Sequence, residues 1–240
     1  MGLIVPAVLP SSRIDLEEKL ALLARIPSVT RIQIDVVDGL FASPASWPYN
    51  VVSEPSTKSD LVLGKMLPFL DKISYEIDIM CLDAERTAET WLSLGASRLT
   101  FHVESATNLP KLLESSRKRY GTGGLVPGLV SFGCALNIES DLSLIEQCIG
   151  EIEYVQFMGI KRIGRQGQLF DRRVIAKIKS FHARHPEFIL QVDGGVSLEN
   201  AKELLNLGVS NLIIGSAIVR AKNPSAVIAK FKSLQTPFGV

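Results

Sequence analysis

Three short β-branched segments end in acidic residues, and these carboxylates are the side chains best suited to chemistry. The residues are Asp35 in Gln33-Ile34-Asp35, Asp78 in Glu76-Ile77-Asp78 and Asp193 in Gln191-Val192-Asp193. Gln33 and Asp35 lie two positions apart, so an extended segment places both on one face. A buried carboxylate is costly unless it is paired, protonated or bound to a metal. Convergence of these residues would therefore indicate acid–base or metal-assisted chemistry, although each one alone could also cap a helix.

Glycines follow the later segments of the chain in positions that suit an anion. Without a Cβ, a glycine lets backbone N–H groups approach a phosphate closely. Two of the glycines lie in the basic stretch from Lys161 to Gln168, whose alternative interpretation is a solvated charged loop. The predicted phosphate-binding residues are Gly164, Gly167, Gly194, Gly195, Gly215 and Ser216.

Short β-branched segments alternate with longer segments of helical period along the whole chain. Eight such units of about thirty residues indicate parallel strands joined by helices. No Gly-x-Gly-x-x-Gly follows the first strand, so we expect a closed (β/α)8 TIM barrel of class α/β rather than an open sheet, with residues 1–240 forming one domain. The predicted strands are Leu3–Leu9, Arg31–Val37, Ser74–Met80, Arg98–His102, Leu125–Val130, Tyr154–Met158, Phe188–Val192 and Asn211–Ile214.

This barrel would place the acidic residues and the glycines at its catalytic mouth, where strands end. His102 ends the fourth strand and could face the mouth, with packing there as good an interpretation as catalysis. The long irregular stretch Asp38–Asp60 follows the second strand, so it is either a functional loop or a surface excursion packed by its own aromatic residues.

The composition is typical of a globular protein with a large core and gives no sign of a polyanionic partner. Hydrophobic residues make up 46% of the 240 residues, charged residues 21%, and the formal net charge is +1. We therefore expect no nucleic-acid or membrane partner. The three widely spaced cysteines and an N-terminal segment that lacks a secretory pattern predict a cytoplasmic protein with reduced thiols.

Taken in order, these motifs resemble those of the ribulose-phosphate 3-epimerase family, from Pro6 to about Lys222. The resemblance rests on five motifs: Asp35-x-x-Asp38-Gly39, Phe101-His102-Val103-Glu104, Gly167-Gln168-x-Phe170, Val192-Asp193-Gly194-Gly195 and Gly215-Ser216-Ala217-Ile218. It implies a cytoplasmic isomerase of carbohydrate metabolism that binds a small phosphorylated sugar and forms homo-oligomers. It further implies that Asp35 and Asp193 exchange a substrate proton through an enediolate.

The chain departs from the family pattern at the metal site. The resemblance implies two metal-binding histidines, but Gln33 and Asp78 stand in their places, and Ala7 replaces a substrate-contacting serine. The remaining set of Gln33, Asp35, Asp78 and Asp193 offers only oxygen ligands. Such a set suits Mg²⁺ or Mn²⁺ better than Zn²⁺, and a metal-free site is an open alternative.

Three functions therefore remain open at this point. The first is an epimerase or isomerase acting on a ketose phosphate similar to ribulose 5-phosphate. The second is a lyase or aldolase of the same superfamily. Asp78 and Asp83 match the Asp-x-Lys-x-x-Asp motif of a decarboxylase branch, but Met80 stands where that branch has its lysine. The third is a non-catalytic sugar-phosphate-binding protein derived from an epimerase, which the loss of both histidines would favour.

Overall fold

The structure, a computed structural model, describes residues 3–50, 65–121 and 129–234. Eight parallel strands pair in chain order, and β8 pairs with β1, so the sheet closes into a barrel. The predicted (β/α)8 barrel is thereby confirmed. The strands are β1 Leu3–Val8, β2 Arg31–Val37, β3 Ser74–Met80, β4 Arg98–His102, β5 Ser131–Leu136, β6 Tyr154–Met158, β7 Ile189–Asp193 and β8 Val209–Ile214.

Helices lie between the strands and cover the outside of the barrel. They are α1 Arg13–Ala24, α2 Ala84–Ser93, α3 Leu109–Ser116, α4 Ser143–Glu146, α5 Arg173–Arg184, α6 Leu198–Asn206, α7 Ser216–Val219 and α8 Pro224–Ser233. Local sequence explains several of their ends. The Ser12 hydroxyl accepts a hydrogen bond from the Asp15 amide (3.1 Å) where α1 begins, and Asn223 does the same for Ala226 (3.0 Å) at α8.

Strand alternation separates an apolar outer layer from a polar barrel interior. On β2, Ile32, Ile34 and Val36 belong to the large apolar cluster beneath the helices. Gln33 and Asp35 alternate with them and therefore face the barrel axis, where they pair in register with Glu76 and Asp78 of β3. A barrel interior usually holds bulky branched side chains. Here much of the barrel interior is filled by hydrogen-bonded polar side chains, which continue without a break to the acidic residues at the mouth.

Two parts of the chain differ from the expectation. The fifth strand is not Leu125–Val130 but the following segment, Ser131–Leu136; residues 122–128 lie outside the described residues. The Pro127-Gly128 pair is unfavourable in a central strand, whereas Gly133 leaves room inside the barrel for the Tyr154 ring. The helical period of the sequence also predicts a helix at Leu61–Leu70, between β2 and β3; the described residues 38–50 and 65–73 form turns, and residues 51–64 lie outside the described residues.

The described ranges contain no helix with the length and apolar character that a bilayer crossing needs. The three cysteines, Cys81, Cys134 and Cys148, are buried free thiols, as predicted.

Candidate active site

Three carboxylates meet inside the mouth of the barrel. Asp35 of β2, Asp78 of β3 and Asp193 of β7 each present one oxygen such that all three oxygens lie within 4.8 Å of one another. Asp35 and Asp78 are buried, and Asp193 is half-buried at the cavity wall. The sequence-predicted carboxylates are therefore brought together, and only strand pairing could join residues so far apart in the chain.

Gln33 bridges two of these carboxylates with a single amide group. Its Nε2 donates to Asp35 Oδ1 (2.9 Å) and to Asp193 Oδ2 (2.8 Å). Both amide hydrogens are thus used, and the side chain is completely buried. Its Oε1, by contrast, accepts no hydrogen bond from any residue that the structure describes. Gln33 therefore fixes the spacing of Asp35 and Asp193 and leaves one unused acceptor beside them.

Burial and the repulsion between neighbouring negative charges make the carboxyls of Asp35 and Asp193 easier to protonate. Burial raises the pKa of Asp35 well above its ordinary value, and the negative charges of Asp193 and Asp78 raise it further. Burial and the Asp78 charge likewise raise the pKa of Asp193 to about 7, although the hydrogen bond from Gln33 opposes this. Near neutral pH the pair can therefore hold one proton between two carboxylates, which is the arrangement that reversible proton transfer requires.

Asp78 is held in place on both of its oxygens. His102 Nε2 lies 3.1 Å from Oδ1, and Gln156 Nε2 donates to Oδ2 (3.1 Å); both of these side chains are completely buried. Burial lowers the pKa of His102, but the negative charges of Asp78, Glu104 and Asp193 together outweigh this effect, so the net direction is upward. The position of Asp78 is therefore set by the protein before any ligand arrives.

A polar layer below the site supports this arrangement, and the sequence reasoning missed it. Gln191 Nε2 donates to Gln156 Oε1 (2.8 Å) and also to Glu76. Glu76 accepts a hydrogen bond from Arg98 Nε (2.9 Å) and another from Thr100 (3.1 Å). Glutamines inside apolar strands were the available signal, because a buried amide needs a partner across the barrel.

A cavity of about 620 Å³ opens above the carboxylates. Asp35 and Asp193 lie in its wall together with every glycine predicted to bind phosphate. Gln33 and Asp78 lie below it, behind the first layer of lining residues. The predicted phosphate-binding residues around the cavity are Gly164, Gly167, Gly194, Gly195, Gly215 and Ser216.

The loop between β6 and α5, residues 159–172 and hereafter the β6 loop, closes one side of this cavity. Phe170 packs against Gly195 so closely that a Cβ at position 195 would lie 2.6 Å from Phe170 Cα, and Gly195 has a φ of 68°. Arg165 Nε donates to the carbonyl of Ser43 (2.9 Å) in the loop after β2. The two loops therefore contact each other across the mouth.

The described part of the loop after β2, residues 38–50, has features of both alternatives: it packs through its own aromatic residues, and it also reaches the acidic cluster. Trp47 is buried and packs edge-on against Trp91 of α2, with ring centroids 6.0 Å apart, while the Tyr49 hydroxyl lies 2.6 Å from Thr87 Oγ1. Phe41, in contrast, lies against His102 with centroids 5.3 Å apart. The loop is thus anchored by its own aromatic residues and also contributes one of them beside the carboxylates.

The carboxylate cluster also suits a divalent cation. The three carboxylates form an all-oxygen donor set within the described residues. Oxygen ligands are preferred by Mg²⁺ and Mn²⁺, and a cation would relieve the repulsion that raises the pKa values of Asp35 and Asp193.

Comparison with known proteins agrees with this geometry. Residues 3–219 match the model of the ribulose-phosphate 3 epimerase family. The chain is 24% identical to the ribulose-phosphate 3-epimerase of Schizosaccharomyces pombe over 66% of this chain and 65% of that protein. It is also 24% identical to the enzymes of Aquifex aeolicus, over 85% and 83%, and Mycobacterium leprae, over 96% and 93%.

Solved structures of related barrels share the fold. KGPDC from Streptococcus mutans, in complex with a sugar phosphate, superposes with a TM-score of 0.68 at 19% identity, covering 97% of this chain and 96% of that one. The 3-keto-L-gulonate-6-phosphate decarboxylase of Vibrio cholerae gives a TM-score of 0.68 at 12% identity, over 98% and 97%. These identities support the architecture alone, whereas the family match covers nearly the whole sequence. The chain therefore belongs to the ribulose-phosphate 3-epimerase family.

Proposed function

We propose that the protein is an epimerase acting on a ketose phosphate, with Asp35 and Asp193 as the proton-transferring pair. The observation that carries this proposal is the bridge from Gln33 Nε2 to Asp35 (2.9 Å) and Asp193 (2.8 Å), two carboxylates that both line the cavity. The two carboxylates come from β2 and β7, which are not neighbours in the sheet, and both line the cavity, so each can face a ligand from its own side.

Inversion of a carbon beside a carbonyl requires a base on one face and an acid on the other. One carboxylate removes the C3 proton, the C–H electron pair forms a carbon–carbon double bond, and the carbonyl oxygen becomes an oxyanion. The other carboxyl then returns a proton to the opposite face. A pKa of about 7 lets Asp193 serve as acid or base near neutrality, and its partner takes the complementary role.

The acidic cluster would hold Mg²⁺ or Mn²⁺ through Asp35, Asp78, Asp193 and the amide oxygen of Gln33. Such an ion supplies positive charge where the oxyanion develops. The protein's own contribution is positional, because His102 and Gln156 fix Asp78 on both oxygens.

The phosphate group would lie at the other end of the cavity, against the glycine turns. Gly194 and Gly195 line the cavity with φ values of 95° and 68°, a backbone conformation that glycine adopts without strain. A Cβ at position 167 would lie 3.9 Å from Arg220 Nη1 and 4.0 Å from Ser216 Oγ. A guanidinium and a hydroxyl thus border the space proposed for the phosphate.

Proton exchange tests the proposal directly. Purified protein with Mg²⁺ or Mn²⁺ is expected to incorporate deuterium at C3 of D-ribulose 5-phosphate in D₂O. Asp35→Asn and Asp193→Asn are expected to lower that rate at least about a hundredfold, as loss of an acid–base group does. Asp71→Asn, in which the side chain is 71% exposed, is the matched control.

The other two functions are outcomes of the same assay. Products of carbon–carbon cleavage without exchange would indicate a lyase or aldolase. Binding of D-ribulose 5-phosphate without exchange or cleavage would indicate a non-catalytic binding protein.

A further inference from the structure

One polar side chain at the cavity wall is neither a member of the proton-transferring pair nor one of the proposed metal ligands. Gln166 lies in the β6 loop, yet its amide reaches β1, which is three strands away around the closed ring of eight. There Nε2 donates to the backbone carbonyl of Ala7 at the end of β1 (3.3 Å). The side chain therefore crosses the mouth instead of pointing into solvent.

The amide of Gln166 lies where three neighbouring strands end. Ala7 belongs to β1, Asp35 to β2, and Gly215 follows β8. A Cβ at position 215 would lie 2.6 Å from Gln166 Nε2 and 3.0 Å from its Cδ, so the amide occupies the space that only a glycine leaves there. Gln166 also lies close enough to Asp35 to oppose the rise in the pKa of that carboxyl.

This position is intermediate between the two ends of the proposed ligand. Asp35 marks the reacting carbon, and Gly215 with Ser216 marks the phosphate. The carbon chain that joins them must therefore pass the Gln166 amide. Ala7 offers only a methyl group from its side chain, whereas Gln166 offers a polar amide at the same place.

The amide retains hydrogen-bonding capacity on the cavity side. One Nε2 hydrogen meets Ala7 at the long distance of 3.3 Å, the amide also acts on Asp35 as a hydrogen-bond donor, and none of the described residues donates to Oε1. An amide with a free acceptor and an exchangeable donor matches a hydroxyl group, which needs one of each.

Building on the function proposed above, we propose that Gln166 binds the hydroxyl of the carbon between the reacting carbon and the phosphate-bearing carbon. The residue would then select ketose phosphates that carry a hydroxyl at C4. Its action is direct contact with the ligand, supplied by a loop rather than by the barrel.

A binding cycle tests this contact without requiring turnover. The Kd values of D-ribulose 5-phosphate and its 4-deoxy analogue are measured by calorimetry for the wild type and for Gln166→Ala. We expect the wild type to prefer the hydroxylated ligand about tenfold, and the variant to bind the two ligands within about twofold of each other. The same preference in both proteins would overturn the proposal.

Gln168→Ala is the matched control from the same loop. Gln168 also borders the cavity, but its amide donates back to the carbonyls of Arg162 and Arg165, the latter at 2.8 Å, so its donors are used within the loop. This variant is expected to keep the tenfold preference even if it binds both ligands more weakly. Loss of the preference here to the same extent as in Gln166→Ala would also refute the contact.

The outcomes separate this inference from the proposed function. An intact preference that disappears in Gln166→Ala, without C3 exchange in the wild type, would refute the epimerase and leave the contact standing. C3 exchange in the wild type together with an unchanged preference in Gln166→Ala would support the epimerase and refute the contact. No binding of either ligand to the wild type would refute both.

Discussion

Replacement of Asp193 by asparagine should make the protein more stable above neutral pH while it abolishes proton exchange. Asparagine keeps an oxygen that can accept the hydrogen bond now given by Gln33 Nε2 (2.8 Å). It removes the ionisable group that burial and Asp78 make costly to charge. We therefore expect opposite effects on activity and stability, which is common at sites where charges are held together.

The size of the effect follows from the pKa of Asp193, which is about 7 in the folded protein against an ordinary value of 3.8. The folded state holds this proton more tightly than the unfolded state, so the stabilisation is complete below pH 3.8 and is lost as the pH rises through 7. The upper limit of the loss is about 4 kcal/mol, from roughly 1.4 kcal/mol for each pH unit. Contact with cavity water and relaxation of the cluster reduce this, so we expect about 2 kcal/mol.

Thermal unfolding at pH 4.5 and pH 8, with EDTA present, measures the effect. For a domain of this size, about 2 kcal/mol corresponds to roughly 4–8 °C in Tm. Asp193→Asn should exceed the wild type by that amount at pH 8 and by much less at pH 4.5, whereas Asp71→Asn should follow the wild type at both. A lower Tm at pH 8, or an equal difference at both pH values, would refute the electrostatic reasoning.

Three further substitutions test other parts of the structure. Asp78→Asn should weaken Mn²⁺ binding, followed by electron paramagnetic resonance, at least about tenfold, because it removes one charged ligand; an unchanged affinity would exclude Asp78 from the donor set. Gly195→Ala should lower the free energy of unfolding, measured in urea, by about 2 kcal/mol, because Gly195 has a positive φ and Phe170 lies close to it. An unchanged free energy of unfolding would contradict this close contact. Glu76→Gln should lower the free energy of unfolding in the same assay by about 3–5 kcal/mol, because it leaves the buried Arg98 guanidinium without its counter-charge. A decrease below about 1 kcal/mol would show that the ion pair does not stabilise the fold.

The fold could be predicted well because its signal is local and repeated. Each strand is short, β-branched and followed by a helical period, so eight units identify the barrel even where one is misplaced. The fifth strand was misplaced because Leu125–Val130 and Ser131–Leu136 are both largely apolar; the Pro127-Gly128 pair was the one local signal against the first, and pairing with β4 and β6 establishes the second. Alternation alone could not decide between adjacent apolar segments.

The site could be predicted in part, for a different reason. Asp35, Asp78 and Asp193 stand near the ends of strands, and the barrel topology implies that such ends meet. Gln156 and Gln166 were not predicted as functional, because their roles depend on which side chain faces them across the barrel. Such contacts join residues far apart in the chain and leave no spacing in the sequence. The expected homo-oligomer and cytoplasmic location stay predictions.

A chain of hydrogen bonds runs from Glu76 through Gln191 and Gln156 to Asp78, so residues deep in the barrel interior influence the position of the Asp78 carboxylate. An alteration at its lower end can tilt a carboxylate at the upper end without touching a ligand. Laboratory selection for turnover of new sugars should therefore recover changes deep below the mouth as well as in the loops. Libraries restricted to residues that line the cavity would miss them.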